Sequence, residues 1–261
     1  MLPYLSPFAA VYLLVLCFLL GLVMGSALNC LAYRMAHKEK WSGGRSRCPD
    51  CGHVLKGTDL VPLFSYLFLK GRCRYCGKKI SPRYVLSELT LGIVFLCTLL
   101  RWDLSVQCAV MLVLFSCLFC LSLVDLDTFE IPDRFLVIPG LVRLGQLIYQ
   151  FGFSAPFWKQ VLPAAGILLG LLGLVLIMDK VLGKESMGGG DIKLLALLGL
   201  FFTFPEWLLL LFVSCIFGLL LALTLGAKKS IAFPFGPAIS AAAFFVSLFG
   251  SQLTGWYLSL F

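Results

Sequence analysis

Residues Phe8 to Leu31 read FAAVYLLVLCFLLGLVMGSALNCL, a run without a single charged side chain. A helix needs about 20 mainly apolar residues to cross a bilayer, where every backbone polar group must be satisfied inside the segment. This run is long enough. It lacks a basic region ahead of it, exceeds the apolar stretch of a secretory signal and shows no small-residue cleavage pattern. It therefore reads as a retained first membrane span.

Outward from that run the pattern recurs. Together with 8–32, apolar runs at 84–100, 104–124, 135–152, 160–179, 191–204, 207–227 and 232–258 give about eight spans. The run from Ile192 to Phe204 is short and only Pro205-Glu206 parts it from the next, so seven is the other count. Composition agrees: 60% of residues are hydrophobic and 13% charged, with a mean hydropathy of +0.98. No soluble domain is built that way. The expected fold is an all-α polytopic membrane protein. Its parts are a first transmembrane helix over 1–35, a water-facing loop over 36–83 and a transmembrane core over 84–261.

Charge is unevenly spread. Residues 34–83 hold 12 of the 21 Lys and Arg but only Glu39, Asp50 and Asp59 as acids, a net of +9, while the rest of the chain nets −1. A basic block flanked by apolar spans marks a cytoplasmic loop. No motif of a nucleic-acid module accompanies it, so nucleic acid is not an expected partner; anionic headgroups of the lipid bilayer are. With this loop inside, alternation places 125–134, 180–190 and 228–231 on the same side. The inner side then carries 18 Lys and Arg, the loop's 12 with Arg134, Lys180, Lys184, Lys193, Lys228 and Lys229, against Arg101 and Lys159 outside. Arg143 falls within a span. Both termini are expected to face outward, and Asp125 and Asp191 to lie where spans meet the cytoplasmic face.

The 11 cysteines form two populations. Cys17, Cys30, Cys97, Cys108, Cys117, Cys120 and Cys215 lie in apolar runs, where a thiol behaves as a small hydrophobe; Cys117-Leu-Phe-Cys120 is read the same way despite its spacing. Cys48-Pro-Asp-Cys51-Gly52 and Cys73-Arg-Tyr-Cys76-Gly77 differ, repeating at a period of 25 residues. Each CxxC turn can aim two thiolates at one metal, and the following glycine permits the left-handed turn of a knuckle. Four thiolates are a soft, tetrahedral set that suits zinc. Two disulfides are the alternative, disfavoured in a reducing cytoplasm. A closed four-thiolate shell leaves no position for water, so the metal is expected to be structural. There is no HExxH, and the histidines are His37 and His53.

Two acidic clusters stand at span ends: Val124-Asp125-Leu126-Asp127-Thr128-Phe129-Glu130-Ile131-Pro132-Asp133 and Gly188-Gly189-Gly190-Asp191-Ile192-Lys193. Ionisable groups at membrane depth are costly and point to function. The glycine run lets a substrate backbone approach, and Asp191 opens a helix whose dipole favours its charge. Two neighbouring carboxylates can share a proton, as an aspartyl protease requires: one activates water while the protonated partner polarises the scissile carbonyl. From the residues alone that reading stands level with a plain N-cap aspartate.

The ordered set resembles the bacterial type IV prepilin leader peptidases, polytopic GxGD aspartyl proteases. It comprises Gly25-Ser-Ala-Leu-Asn29 with Tyr33-Arg34, the two cysteine pairs, Asp125 through Ile131-Pro132-Asp133, GGGDIKLLALLG from Gly188, and Pro234-Phe-Gly-Pro237. The resemblance implies that Asp125 and Asp191 are the catalytic pair, supported by Gly188, Gly190 and Lys193, with Asp127 and Asp133 capping or orienting the loop. It implies an inner-membrane enzyme that cuts behind a glycine in prepilins or pilin-like secretion precursors. It further implies N-methylation of the new terminus with S-adenosylmethionine. The Gly188–Gly190 run is no Rossmann fingerprint, having no strand before it. Prepilin leaders of this family are basic and would be repelled by the loop, leaving Glu130 or Asp133 to meet them.

Other residues carry simpler expectations. Lys193 either tunes the carboxylates or anchors the inner face. Asn29 is expected to donate a hydrogen bond between helices, and Gly21-x3-Gly25 and Gly166-x3-Gly170 to let helices pack closely. Glu88 either lines the site or snorkels to the interface. The rival functions are a proton-coupled transporter or channel using the paired acids, and a membrane-anchored zinc module that only binds partners.

Overall fold

The computed structural model describes residues 6–40, 44–183, 187–224 and 233–260; Lys184, Lys228 and Lys229, counted above on the inner side, lie outside the described residues. The helices are α1 Pro7–Ala36, α2 Phe64–Phe68, α3 Pro82–Trp102, α4 Val106–Thr128, α5 Arg134–Phe151, α6 Ala155–Leu182, α7 Gly189–Leu198, α8 Phe204–Thr224 and α9 Gly236–Leu258. Each of the eight apolar runs holds one of them. Six, α1, α3, α4, α6, α8 and α9, are long and apolar enough to cross a membrane. Two runs give less. α5 carries Arg143 in its middle, and α7 has ten residues, a rise of about 15 Å against a core of about 30 Å. The chain divides into two compact units, Met1–Cys108 and Ala109–Phe261.

In the first unit α1 and α3 start alike. Ser6 accepts the Ala9 N–H and Ser81 the Arg83 N–H, both at 3.3 Å, and Pro7 and Pro82 occupy the first helical positions, where a missing N–H costs nothing. The two helices meet along a glycine seam. A Cβ at Gly21 would stand 2.7 Å from the Gly92 Cα, and one at Gly25 2.9 Å from the Glu88 Cα. Close approach of backbones is thus the use of Gly21-x3-Gly25, as expected. Gly166-x3-Gly170 is a correction: among the described residues, no other element comes within 4 Å of a Cβ built at either position, and α6 instead presents Leu169, Leu176 and Ile177 outward. Asn29 is a second correction, because among the described residues its buried Nδ2 has no hydrogen-bond partner.

In the second unit several contacts hold the short α7. Gly199 ends it, backed onto Ile167 and Ala164 of α6. The Glu206 carboxylate accepts both the Thr203 N–H (2.9 Å) and hydroxyl (2.8 Å), starting α8. Trp207 Nε1 donates to the Leu195 carbonyl at 2.9 Å. Arg143, 8% exposed, donates from Nε to the Leu200 carbonyl (3.1 Å), from Nη1 to Gln146 (2.7 Å) and from Nη2 to Gln160 (2.9 Å). Its guanidinium lies 5.6 Å from the centre of the Phe201 ring. Carbonyls at a helix C-terminus lack intrahelical donors and carry the negative end of the dipole, so a buried cation there ties α5 and α6 to the end of α7.

Candidate functional site

The loop between α1 and α3 folds as two copies of one knuckle. Cys48 N–H donates to the His53 carbonyl (3.0 Å) and Gly52 N–H to the Cys48 carbonyl (2.9 Å). Twenty-five residues on, Cys73 donates to Lys78 (2.8 Å) and Gly77 to Cys73 (2.9 Å). Leu55 to Ser46 and Ile80 to Gly71 repeat the match, each at 2.8 Å, around isolated bridges Arg47–Val54 and Arg72–Lys79. Gly52 and Gly77 take φ of +69° and +70°, the left-handed turn expected of them.

All 11 cysteines are free thiols. The Sγ atoms of Cys48, Cys51, Cys73 and Cys76 lie within 4.8 Å of one another, Cys48 and Cys76 at 4.0 Å. Thiolates around one zinc ion stand about 3.8 Å apart at Zn–S distances of about 2.3 Å. This donor set therefore fits a tetrahedral metal. Backbone N–H groups of Cys76 and Tyr75 bring the Cys73 thiol down to about 7. For Cys76 the Lys78 N–H acts in the same sense, but burial and the neighbouring thiols prevail and raise it to about 11. Around the cluster, Lys78 pairs with Asp50 and Arg74 with Asp59, both at 2.9 Å, and His53 stacks on Tyr75.

The carboxylates are built differently. α4 carries Asp125, 4% exposed, in its last turn. Phe129, at φ +58°, ends that helix in a conformation uncommon for a bulky residue and turns the chain back toward Ile131. The Gly236 N–H, at the start of α9, donates to Asp125 Oδ2 at 2.9 Å. Asp191 is the third residue of α7, and Gly188 holds the N-cap position. The aspartate is therefore not itself the N-cap. Asp125 and Asp191 are near enough for their charges to repel.

Ile131 packs against Gly190 and Gly236, glycines that adjoin Asp191 and bond Asp125 respectively. A Cβ at Gly190 would stand 2.9 Å from the Ile131 Cβ; one at Gly236 would stand 2.7 Å from Asp125 Oδ2 and 3.4 Å from Ile131 Cδ1. Lys193 Nζ binds Asp133 at 2.8 Å, both side chains largely exposed, which ties the 129–133 turn to α7. Asp127 and Glu130 are exposed, and Glu88 belongs to the first unit. Gly236 and Ile131 were not expected at the site. The signal for the first was a glycine between Phe235 and Pro237, a place for close backbone approach. Gly236→Ala should push the Asp125 carboxylate aside and lower leader cleavage by about 100-fold, with helicity unchanged by circular dichroism; wild-type cleavage would show that this contact does not position Asp125.

Residues 19–102 match the Bacterial Peptidase A24 N-terminal domain, and residues 112–223 match the Type IV leader peptidase family. A prepilin leader peptidase/N-methyltransferase of Pseudomonas putida is 33% identical over 93% of this chain and 92% of its own length. The Stutzerimonas stutzeri protein of the same name is 34% identical over 94% and 93%, and that of Myxococcus xanthus 37% identical over 85% and 66%. The chain belongs to the Type IV leader peptidase family. No solved structure matches it. The four-cysteine cluster falls in the first family match and the two aspartates in the second, each inside one compact unit.

Proposed function

We propose that this chain removes the leader from type IV prepilins, or from pilin-like secretion precursors, by aspartyl-protease chemistry and then N-methylates the new N-terminus. What supports the reading is that Ile131 packs against Gly190, the residue before Asp191, and against Gly236, whose N–H binds Asp125, in a member of the leader peptidase family. A peptide entering there would meet backbone rather than side chains at Gly188–Gly190 and Gly236. One carboxylate takes a proton from water as it attacks the scissile carbonyl; the other, protonated, hydrogen-bonds the carbonyl oxygen and then supplies the leaving amine with a proton. Gly236 holds Asp125 in place for this, and the Lys193–Asp133 pair holds the turn above it.

Cys48, Cys51, Cys73 and Cys76 would hold zinc as a cross-link between the two knuckles, with no coordination position left for a reacting water. S-adenosylmethionine supplies an electrophilic methyl group for the second activity. The chain is a multi-pass protein of the inner membrane, with the metal loop facing the cytoplasm on the strength of its basic charge. Incubating the purified protein in detergent with a prepilin peptide tests the reading. Cleavage after the leader glycine, followed by a mass gain of one methyl group on the mature peptide when the methyl donor is added, is expected. Ion flux in proteoliposomes without cleavage would favour a channel, and neither activity a binding module.

A further inference from the structure

Two polar side chains are buried in the first unit at the loop end of the α1–α3 seam. Glu88 is 7% exposed and accepts the Leu63 N–H at 2.8 Å. Among the described residues it forms no ion pair. Asn29 is 2% exposed, and its Nδ2 has no acceptor. Buried polar groups are nearly always satisfied, so an orphaned amide beside an un-neutralised carboxylate calls for an explanation.

The register of the seam brings the two to neighbouring levels. Gly21 lies against Gly92 and Gly25 against Glu88, so α1 and α3 run antiparallel. Asn29 is one turn beyond Gly25 on the same face of α1. Helical side chains lean toward their own N-terminus. Asn29 thus leans back to the level of Glu88, and Glu88 leans along α3 to the level of Asn29. Leu63, held at φ +61°, points its N–H at the carboxylate from the loop side. A carboxylate and an amide donor converge from two helices.

A ligand that satisfies both needs a cationic donor next to an acceptor oxygen. A free amino-acid terminus has that pattern: an α-ammonium group for Glu88, with a carbonyl or carboxylate oxygen three bonds from the nitrogen for Asn29 Nδ2. Two participants in the methyl transfer proposed above carry it. One is the mature peptide's new N-terminus, with its first carbonyl. The other is the methionine end of the methyl donor, with its carboxylate. We propose that Asn29 and Glu88 bind an α-ammonium group for methyl transfer; where that group is the acceptor's, it first gives a proton to Glu88, and the neutral amine then bonds to the methyl carbon as the donor's methyl–sulfur bond breaks and S-adenosylhomocysteine leaves. The assignment rests on the methyltransferase reading, and it leaves the cleavage chemistry of the second unit untouched.

Zinc-loaded full-length protein in detergent, as wild type, Glu88→Gln and Asn29→Ala, tests it. Calorimetric binding is measured for S-adenosylhomocysteine, which keeps the α-ammonium and carboxylate, and for a mature pilin N-terminal peptide in free and N-acetylated forms. Leader cleavage and methylation are followed in parallel. Glu88→Gln should weaken binding of one ligand by about ten- to a hundredfold, with cleavage within about twofold of wild type. Weaker binding of S-adenosylhomocysteine alone assigns the site to the methyl donor; weaker binding of the free peptide alone assigns it to the acceptor. In the second case acetylation should also abolish peptide binding to the wild type, a readout that survives if Glu88→Gln fails to fold. In the first, deaminated S-adenosylhomocysteine should fail to bind the wild type. Unchanged binding and methylation in both variants would mean that the groups share a buried water only, and would overturn the assignment while methyltransferase function stands. A wild type that neither binds these ligands nor methylates would remove the reading and the assignment together.

Discussion

Asp125→Asn and Asp191→Asn should each reduce leader cleavage by about 1,000-fold or more, measured as product per unit of correctly inserted protein. The amide has the shape of the carboxylate, so the Gly236 N–H keeps an oxygen to bond and the 2.9 Å contact can persist. What changes is the proton. Asparagine cannot take one from water or pass one to the leaving amine, so either substitution breaks the exchange on which the pair depends. Asp127→Asn is the matching control: its side chain is exposed, and two residues on from Asp125 it points to the other side of α4. It should retain near-wild-type cleavage. Substantial processing by Asp125→Asn or Asp191→Asn would overturn the pair.

Replacing Cys48 and Cys51 together by Ser should take bound zinc from about one ion per chain to nearly none. The loop should then become open to proteolysis, while the membrane helices keep their circular dichroism. The separation of effects follows from where the bonds are. Each knuckle is closed by a few backbone contacts, too few to order some thirty residues without a cross-link. The helices satisfy their backbones internally and do not depend on it. Zinc content unchanged by the double substitution, read by atomic emission on purified protein, would contradict the metal site.

The features legible in the sequence are those coded by local spacing. Apolar runs gave the helices, and a repeat of 25 residues gave the matching knuckles with their left-handed glycines. The Gly21-x3-Gly25 spacing likewise foretold a close helix seam, although Gly166-x3-Gly170 has the same spacing and meets nothing. Spacing says that a helix face is smooth; it does not say that a partner comes to it. Long-range contacts were less legible. Gly236 reaches Asp125 across 111 residues and Lys193 reaches Asp133 across 60, distances over which no periodicity carries information. From sequence Arg143 only fell within a span; its bonds to the Leu200 carbonyl and to Gln146 and Gln160 carry no signature that spacing could reveal. The run holding α7 already read as short; where the helix stops was masked by hydrophobicity, which continues through Gly199 to Phe202.

The placement of the two knuckles bears on how the protein is made. All four ligands lie between α1 and α3 in the chain, and the segment from Cys48 to Cys76 is synthesised before any residue of the second unit. Ion capture can therefore precede synthesis of both aspartates. With zinc held there as proposed, its scarcity would act on chains during translation, at the moment α3 has to find its register against α1, and would spare molecules already loaded.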